Sequence, residues 1–341
     1  MIEATVVIPN WNGKKYLPDC LDSLCRQTVS DFRIILIDNG SEDGSVEYVR
    51  AHYPQVGIRA FHRNTGFCRA VNEGIRLSGE AAYIILLNND TVCAPDFVEQ
   101  MLAGMRRHEN AFSCSARMMQ MHAPERIDDA GDYYCALGWA FADGKGLPAA
   151  RRSREHQVFA ACGGAAIYRR EGLERTGLFD ERHFAYLEDV DIGYRARIAG
   201  YENWYLPQAV VMHAGSASSG SRYNAFKTKL TSRNSVYLIW KNMPAWQILL
   251  NLPFLATGFL VKTLFFVRKG LGGIYVRGLL EGLSMGRRWR RERRMDTSSW
   301  AAREAGVHWD EGIPLPETGE KRRLWKIQLE LWRNTWRRLV Q

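Results

Sequence analysis

The sequence has few of the features that mark a secreted or disulfide-stabilised protein. Its seven cysteines are odd in number and include no CxxC pair, and Cys20 and Cys25 stand too far from any histidine to indicate a zinc site. A strand-like run begins at Ala4, without a basic n-region or a cleavable apolar stretch before it. No segment repeats at a fixed period, and no tract has low complexity. We therefore expect free thiols in a reducing compartment and no secretion.

The positive charge is unevenly distributed. The net charge of +9 at pH 7 is typical of a nucleic-acid-binding protein, but residues 1–220 hold 23 Lys and Arg against 28 Asp and Glu, a balance of −5. Residues 221–341 hold 23 against 9, a balance of +14. The length of 341 residues allows one large domain or two ordinary ones. The split in charge predicts an acidic, catalytic body and a strongly basic tail.

Strand and helix patterns alternate through the first hundred residues, which predicts βαβ units and a parallel sheet. The unbroken apolar run 83–87 predicts a strand that is buried on both faces of that sheet. Ligands of such sheets bind at the carboxyl ends of the strands, where Asn88, Asn89 and Asp90 would emerge. Asp90 would then be able to hold a divalent cation beside a diphosphate. A strand end followed by an Asx-turn explains the same residues equally well.

The middle of the chain gives weaker patterns. We expect a strand that closes at 118–121, a turn-rich polar segment at 127–132 and a solvated basic loop at 151–154. A small-residue strand at 160–168 contains Gly163 and Gly164, which indicates either a close backbone approach or a bulge. Pro207 separates two further short strands, 201–206 and 210–213.

Glu188, Asp189 and Asp191 place three carboxylates in four residues at the start of a predicted helix. The helix dipole offsets their repulsion, so an acidic first turn is an adequate account of them. In a crevice, one of the three would serve as a general base. His213 stands alone, and lone histidines are more often structural than ligands.

The order of these motifs resembles that of family 2 glycosyltransferases. The matching blocks are Pro9-Asn10; Asp38-Asn39-Gly40-Ser41-x-Asp43-Gly44-Ser45; Asn64-x-Gly66-Phe67 with Asn72; Asn88-Asn89-Asp90; Gly163-Gly164; Glu188-Asp189-x-Asp191 with Arg195; and His213. The resemblance covers about residues 3–235 and rests on seven blocks in one order, and within the family the chain is most similar to the rhamnosyltransferase-like bacterial branch.

The resemblance implies an α/β GT-A fold with a Rossmann-like, mostly parallel sheet flanked by helices. Residues 1–235 would form the catalytic domain, with a nucleotide-sugar half at about 1–110 and an acceptor half at 111–235. Residues 236–341 would form a helical tail. The implied reaction is an inverting transfer from a nucleoside-diphosphate sugar, assisted by Mg²⁺ or Mn²⁺.

The resemblance also implies roles for individual residues. The nucleotide-sugar pocket would be lined by Pro9, Asn10, Asp38, Asn64, Gly66, Asn72, Asn88 and Asn89, with Asp38 accepting a hydrogen bond from the base. Asp90 would bind the metal with His213 as its second protein ligand, and Asp189 would be the catalytic base. The acceptor would be oriented by Glu188, Asp191, Gly163 and Gly164. Because the family's common Asp-x-Asp motif here begins with the neutral Asn88, we expect a weakened dependence on metal.

The tail carries both apolar and basic segments. No charged residue occurs from 242 to 261, a length that would span a bilayer, but Gln247, Asn251 and Pro253 interrupt the run and favour helices in the interface plane. The cluster at 287–294 contains six arginines and suits anionic lipid heads. The final helix, 321–339, would carry one apolar stripe: Leu324, Trp325, Leu329, Trp332, Trp336 and Leu339. That stripe would face a membrane, or else pack on the body or on a second copy of the chain.

We therefore expect a peripheral enzyme on the cytoplasmic face of the plasma membrane. It would move a sugar, such as rhamnose from dTDP-rhamnose, onto a lipid-linked glycan in cell-envelope polysaccharide synthesis. One rival is a nucleic-acid-binding protein that uses the basic tail, against which the acidic body argues. Another is a non-catalytic nucleotide-sugar-binding scaffold, against which the set of Asp38, Asp90 and Asp189 argues. The oligomeric state is left open.

Overall fold

The computed structural model describes residues 2–215, 223–296 and 320–340. The chain forms two compact units. The first comprises Met1–Tyr133, Phe141–Phe184 and Glu188–Gly220, and the second comprises Tyr134–Ala140, Ala185–Leu187 and Ser221–Gln341. The second unit includes the whole of helix Ala225–Asn242, through which the predicted boundary at residue 235 runs.

A ten-stranded mixed sheet organises the first unit. Its strands are β1 (Ala4–Asn10), β2 (Phe32–Asp38), β3 (Gly57–Ala60), β4 (Tyr83–Leu87), β5 (Thr91–Cys93), β6 (Ala111–Gln120), β7 (Ala123–Asp129), β10 (His156–Val158), β11 (Ala165–Arg169) and β12 (Glu202–His213). The main order is β10-β12-β6-β11-β4-β1-β2-β3, with β5 on β12 and β7 on β6. Strands β3, β2, β1 and β4 run parallel, and β11 is antiparallel to β4 and β6. A small hairpin pairs β8 (Asp132–Tyr134) with β9 (Ala140–Ala142).

Six helices are described in the first unit, and they cover the sheet. They are α1 (Leu17–Cys25), α2 (Ser45–His52), α3 (Phe67–Leu77), α4 (Phe97–Arg107), α5 (Arg170–Thr176) and α6 (Glu188–Ala199), with short 3₁₀ turns at Ala149–Arg152 and Glu181–His183. Helices such as α1 bury apolar side chains at the predicted spacing, because Leu17, Leu21 and Leu24 all face the core. Residues 84–87 of β4 are fully buried, as expected for a strand covered on both faces. The predicted α/β architecture, a central sheet flanked by helices, is confirmed, and the sheet is mixed, with its parallel strands β1 to β4 at one side.

The middle of the chain departs from the sequence prediction in three places. The segment predicted as a polar turn at 127–132 is largely strand, because β7 pairs with β6 as far as Asp129. The two strands predicted on either side of Pro207 are one strand, β12, in which the pairing with β6 shifts register between Leu206 and Val210. Such an irregularity accommodates a proline that cannot donate to the ladder. The glycine pair precedes β11, which begins only at Ala165.

In the residues described, the part of the second unit from Tyr223 onward is helical. Its helices are α7 (Ala225–Asn242), α8 (Ala245–Arg268), α9 (Gly272–Asp296) and α10 (Glu320–Val340). Three of the polar side chains of α8 and α10 are buried against each other. The Gln247 side chain donates to the Leu324 carbonyl at 2.9 Å, and the amides of Asn251 and Gln328 exchange two hydrogen bonds of 2.8 Å. The two residues of each bonded pair are 77 positions apart in the sequence, so α8 and α10 run parallel at a fixed register.

These contacts explain the polar interruptions in α8 and leave its outer surface apolar. Leu249, Leu252, Leu260, Leu264 and Val267 recur at helical spacing and are exposed. Among the described residues, α8 is the one helix that is long and apolar enough to cross a membrane by length and composition, and 17% of its apolar window is buried.

Helix α10 has two faces. Ile327, Leu331 and Asn334 are buried within the second unit, where the Asn334 amide donates to the Tyr134 carbonyl at 3.0 Å. Of the predicted stripe, Leu324 is buried and Trp332 partly so, whereas four members are exposed: Trp325, Leu329, Trp336 and Leu339. The stripe therefore does not form the packing face of this helix.

The predicted arginine cluster on α9 divides between packing and solvent. Arg290 donates to the carbonyls of Trp240 and Met243, both at 2.7 Å, and so caps the C-terminal end of α7. Arg287, Arg288 and Arg291 are exposed. The side chains of the remaining two predicted members, at 293 and 294, lie outside the described residues, as does the tail segment 297–319.

Candidate active site

The carboxyl ends of β1, β2 and β4 meet in one buried hydrogen-bond network. Asn10 and Asp38 are register partners on adjacent parallel strands, and the Asn10 amide donates to Asp38 Oδ1 at 2.8 Å. The Asn89 amide donates to Asn10 Oδ1 at 2.6 Å, and the Ser41 backbone N–H donates to Asp38 Oδ2 at 2.9 Å. Asp38 is 1% exposed, so its orientation is fixed by these partners. Pro9 precedes Asn10 in the same strand.

The loop that precedes α3 is held by Asn39, a residue to which the sequence analysis gave no role. Its amide donates to Asn64 Oδ1 at 3.0 Å and to the Gly66 carbonyl at 3.1 Å, while its Oδ1 accepts from the Thr65 N–H at 2.8 Å. Gly66 has φ +94°, and a Cβ there would lie 2.8 Å from the Phe184 carbonyl oxygen. Only glycine fits this position.

Asn72 is placed differently from the other predicted pocket residues. It is 1% exposed, and its side chain exchanges hydrogen bonds with the Phe179 backbone: the amide donates to the carbonyl at 2.8 Å and Oδ1 accepts from the N–H at 3.0 Å. The amide also approaches Glu181 Oε1 at 3.2 Å. These contacts tie α3 to the segment after α5.

Asp90 and His213 lie side by side because β5 pairs with the end of β12. His213 Nε2 is 3.3 Å from Asp90 Oδ1, and Nδ1 is 2.8 Å from Asp128 Oδ2. Asp128 also accepts from Lys145 Nζ at 2.7 Å. Burial lowers the pKa of His213, but its hydrogen bonds with Asp128 and Asp90 outweigh burial and raise the pKa to about 9.

These side chains fit a divalent cation. Asp90 offers carboxylate oxygens beside the His213 imidazole nitrogen, and oxygen and imidazole donors suit Mn²⁺. Asp128 orients the ring through the other nitrogen, which is the arrangement that carboxylates adopt behind metal-bound histidines. Asn88 stands where the common motif has aspartate. Its backbone carbonyl accepts a hydrogen bond from the Thr91 hydroxyl, and its backbone N–H donates to the Gly164 carbonyl at 2.8 Å.

Asp189 lies in the first turn of α6. The Val190 N–H donates to its Oδ1 at 2.8 Å, and the Gly163 N–H points to its Oδ2 at 3.5 Å. Burial raises the pKa of Asp189, and backbone hydrogen bonds from Val190 and Gly163 offset part of that rise. A Cβ on Gly164 would lie 3.0 Å from Met118 Cε, so the close-approach interpretation of this glycine holds.

Two aspartates that the sequence analysis missed stand beside Asp189. Asp129 and Asp132 each bring a carboxylate oxygen within 4.8 Å of the other and of the Sγ of Cys162, the residue before Gly163. Burial raises the pKa of Asp129 to about 7. In the sequence these aspartates are part of the polar segment 127–132, which the sequence pattern predicted as a turn.

The other two acids of α6 have separate environments. Asp191 is fully buried and accepts from Arg195 Nε at 3.0 Å, while Arg195 donates to the carbonyls of Thr176, Gly177 and Leu178. This pair fastens α6 to the preceding loop. Glu188 is 7% exposed, and its Oε2 has no hydrogen-bond partner among the described residues.

Three predicted acids are therefore linked within the first unit. Asp38 reaches Asn89 through Asn10, Asp90 follows Asn89 in the chain, and Asp189 meets Gly163 beside the Asn88–Gly164 contact. Parallel strands that end in such polar residues, joined to a mixed parallel and antiparallel half that supplies His213, are the features of a glycosyltransferase of the GT-A class.

Comparisons with known proteins place the chain within that class. The model of glycosyl transferase family 2 matches residues 5–177. An N-acetylglucosaminyl-diphospho-decaprenol L-rhamnosyltransferase from Mycobacterium tuberculosis is 30% identical over 242 residues, which cover 63% of this chain and 77% of that protein. A PGL/p-HBAD biosynthesis glycosyltransferase from Mycobacterium bovis is 33% identical over 108 residues, covering 31% of this chain and 42% of that protein. The chain belongs to glycosyl transferase family 2.

Solved structures of low sequence identity share the fold. S. aureus TarS 1–349 in complex with UDP-GlcNAc has a TM-score of 0.58 at 15% identity, covering 83% of this chain and 81% of that one. The mannosyltransferase PcManGT from Pyrobaculum calidifontis, in complex with GDP-Man and Mn²⁺, has a TM-score of 0.53 at 15% identity, covering 96% and 84%. The predicted family and fold are thus confirmed.

Proposed function

We propose that this glycosyltransferase moves a sugar, with L-rhamnose from dTDP-rhamnose as the first candidate, from a nucleoside-diphosphate donor to a lipid-linked glycan of the cell envelope. The observation that supports the proposal is the group of polar residues at the carboxyl ends of β1, β2 and β4, where Asn10 bonds both Asp38 and Asn89, and Asp90, the residue after Asn89, lies beside His213. The mycobacterial relative, which is named for rhamnosyl transfer to a decaprenol-linked acceptor, supports the choice of donor and acceptor.

In this proposal each acid has a separate task. Asp38, oriented by Asn10 and Ser41, accepts a hydrogen bond from the nucleotide base. Asp90 and His213 hold Mg²⁺ or Mn²⁺, which when bound offsets the negative charge that develops on the leaving diphosphate. Asn88 and Asn89 place amides beside the same diphosphate.

Asp189 acts as the general base in an inverting displacement. The acceptor hydroxyl attacks the anomeric carbon from the face opposite the diphosphate, and its proton moves to a carboxylate oxygen of Asp189. The bond between the anomeric carbon and the diphosphate oxygen breaks, and its electron pair leaves with the diphosphate. Burial raises the pKa of Asp189, which makes the carboxylate a better proton acceptor.

The second unit would hold the enzyme at an anionic membrane surface, on the cytoplasmic side where nucleotide sugars are made. It combines the exposed apolar residues of α8 and α10 with the exposed arginines Arg287, Arg288 and Arg291 of α9. A membrane-held acceptor explains why a catalytic unit carries so basic and aromatic an extension.

The parallel register of α8 and α10 favours an in-plane arrangement over a span. With a constant offset of 77 residues, Arg333 on α10 lies level with Ala256 near the middle of α8. If α8 crossed the bilayer, this exposed arginine would be drawn into the hydrocarbon core beside it, at a cost of about 2.5 kcal/mol or more. Helices that lie in the interface keep such side chains in the headgroup layer.

A transfer assay with the Asp189→Asn variant tests the catalytic part of the proposal. The wild-type chain should transfer sugar to a decaprenol- or polyprenol-linked diphosphosugar with Mn²⁺ present, and the variant should lose transfer while keeping its donor-induced rise in melting temperature. Full turnover by the variant would remove Asp189 from the mechanism. Donor binding by the wild type without turnover on any acceptor tried would favour a scaffold instead.

A further inference from the structure

The entry turn, residues 184–187, leads into α6 and has a strained backbone. Of the four non-glycine residues with positive φ in the described part of the chain, three lie here: Phe184 (φ +65°), Tyr186 (φ +71°) and Leu187 (φ +66°). Residues with a Cβ rarely adopt such angles, and glycine is the usual residue where a chain requires them. The strained conformation therefore persists only because neighbouring groups hold the entry turn in place.

Helix α7 supplies a side chain that holds the entry turn. Residues 185–187 belong to the same compact unit as α7. The fully buried Asn234 amide donates to the carbonyls of Ala185 and Tyr186 at 2.9 and 2.7 Å, and its Oδ1 accepts from Arg233 Nε at 3.0 Å. The two carbonyls belong to the peptide groups on either side of Tyr186, so these bonds fix both backbone dihedral angles of that residue.

A second contact with the entry turn comes from the same face of α7. The Phe226 ring packs edge to face against the Tyr186 ring, with 6.5 Å between the ring centroids. Phe226 precedes Asn234 by about two helical turns, so both side chains lie on one face of the helix. Helix α7 therefore holds both the side chain and the backbone of Tyr186.

The direction of the Asp189 carboxylate depends on the backbone that leaves the entry turn. Asp189 is the second residue of α6 and follows Leu187 by two positions. Its shorter hydrogen bond comes from the adjacent Val190 N–H at 2.8 Å, while the Gly163 N–H lies 3.5 Å away. A bond from the adjacent residue moves with the first turn of the helix and cannot fix that turn. A change in the entry turn would thus displace the carboxylate, and a displacement of about 1 Å slows a reaction about a hundredfold.

A purely structural role for Asn234 accounts for its burial but not for its choice of partners. Asn334 in the same unit is equally buried, and its amide donates to the carbonyl of Tyr134, a residue of the strand β8. Asn234 instead directs both amide hydrogens at a turn whose strain would otherwise be released. Asn334 therefore offers a matched comparison for Asn234.

We propose that Asn234 is a positioning residue for the general base: its amide holds the entry turn in the left-handed conformation that orients Asp189 toward the acceptor hydroxyl. This inference rests on the proposed role of Asp189. Asn234 takes no part in the proton transfer, which remains between the acceptor hydroxyl and the Asp189 carboxylate.

Steady-state kinetics of Asn234→Ala and Asn334→Ala, with a detergent-dispersed acceptor, separate positioning from stability. Both variants remove a fully buried amide of the second unit, so both should have a lowered melting temperature. Only Asn234→Ala should lower kcat, by about tenfold to a hundredfold, with a KM for the donor within about twofold of the wild type. Adding Leu187→Gly to Asn234→Ala should raise kcat again by about threefold or more, because glycine adopts φ +66° without strain.

The proposal is overturned if the folded Asn234→Ala variant keeps the wild-type kcat, or if Asn334→Ala loses as much kcat. No recovery with Leu187→Gly would exclude the strained turn as the link to Asp189. Should Asn234→Ala give no donor-induced rise in melting temperature, Asn234→Asp decides, since it keeps the size of the side chain but loses both amide donors. A lowered kcat with an unchanged donor KM in that variant supports the proposal, and a wild-type kcat contradicts it.

Hydrogen–deuterium exchange keeps the inference separate from the proposed function. The backbone amides of residues 184–190 should exchange about tenfold faster or more in Asn234→Ala than in the wild type or in Asn334→Ala. Unchanged exchange would refute the hold of Asn234 on the entry turn even if the wild type transfers sugar. Faster exchange in a protein whose wild type transfers no sugar would instead contradict the proposed function.

Discussion

The exposed leucines of α8 give the most direct test of membrane binding. Leu249 is 70% exposed and Leu260 is 60% exposed, and their spacing places them on the same outer face of the helix. Full burial of a leucine contributes about 1.5 to 3 kcal/mol, so inserting these exposed portions into a bilayer would contribute about 1 to 2 kcal/mol each. The Leu249→Gln/Leu260→Gln double variant should therefore lose about 2 to 4 kcal/mol, which corresponds to a loss of roughly 30-fold or more in vesicle partitioning.

Co-sedimentation with vesicles of mixed anionic and zwitterionic lipid measures this partitioning. The chain offers a matched control in Leu77→Gln/Leu147→Gln, since both leucines are partly exposed but belong to the first unit. The control should bind as the wild type does, and both double variants should keep the wild-type melting temperature. Unchanged vesicle binding by the α8 variant would refute the proposed surface. Binding to DNA that outcompetes anionic vesicles would favour the nucleic-acid alternative instead.

Three further predictions concern the first unit. Asp128→Asn should weaken Mn²⁺ affinity about tenfold or more by releasing the His213 ring, and His213→Ala should weaken it further. The measurement is the Mn²⁺-dependent part of the donor-induced rise in melting temperature. Equal rises in the wild type and the two variants would contradict the metal site. Gly131→Ala should lower the free energy of unfolding by about 1 to 3 kcal/mol, because Gly131 has φ +95° and an added Cβ would lie 2.6 Å from Val158 Cγ1. The control Gly146→Ala, with φ +80° but open space around it, should lower the free energy of unfolding less, as measured by urea unfolding. Equal losses in the two variants would exclude the Val158 contact as the cause. Burial raises the pKa of Asp143, but hydrogen bonds from His156 and Arg152 outweigh burial and lower the pKa. The ionised Asp143 should therefore stabilise the fold fully above its ordinary pKa near 3.8, and this contribution should fade as pH falls through the lowered value. Asp143→Asn should flatten that part of the urea-derived curve of stability against pH, and an unflattened curve would contradict this account.

The nucleotide half could be predicted from the sequence because its signals are local. Apolar runs in β1, β2 and β4 specify buried parallel strands, and the polar residues after each run are brought together at one edge by the topology alone. The pairing of Asp90 with His213, 123 positions apart in the numbering, came only from the family resemblance. It depends on the pairing of β5 with β12, and the three residues of β5 are too few to predict that pairing from the sequence.

The acidic cluster beside Asp189 could not be predicted because its formation depends on long-range pairing. In the sequence, Asp128, Asp129 and Asp132 look like turn residues, since aspartate is depleted in strands. Pairing of β7 with β6 overrides that preference, and the Asp132–Ala160 bridge then fixes the backbone of Asp132 beside the segment that leads to Cys162 and Gly163. Local propensity describes the isolated segment correctly, but tertiary contacts decide its structure.

Helix α10 shows why an amphipathic pattern alone cannot choose a packing face. Its apolar stripe left open whether it would face a membrane or pack on protein, and the buried face contains Gln328, Asn334 and Thr335 together with Ile327 and Leu331. Helix α8 explains which face of α10 is buried. The buried Gln247 and Asn251 of α8 require polar partners, which a stripe of tryptophan and leucine would not supply. Because the polar faces of the two helices satisfy each other, the apolar faces are left outward. A soluble protein would bury those faces, so their joint exposure on parallel helices is itself an argument for a lipid surface as their partner.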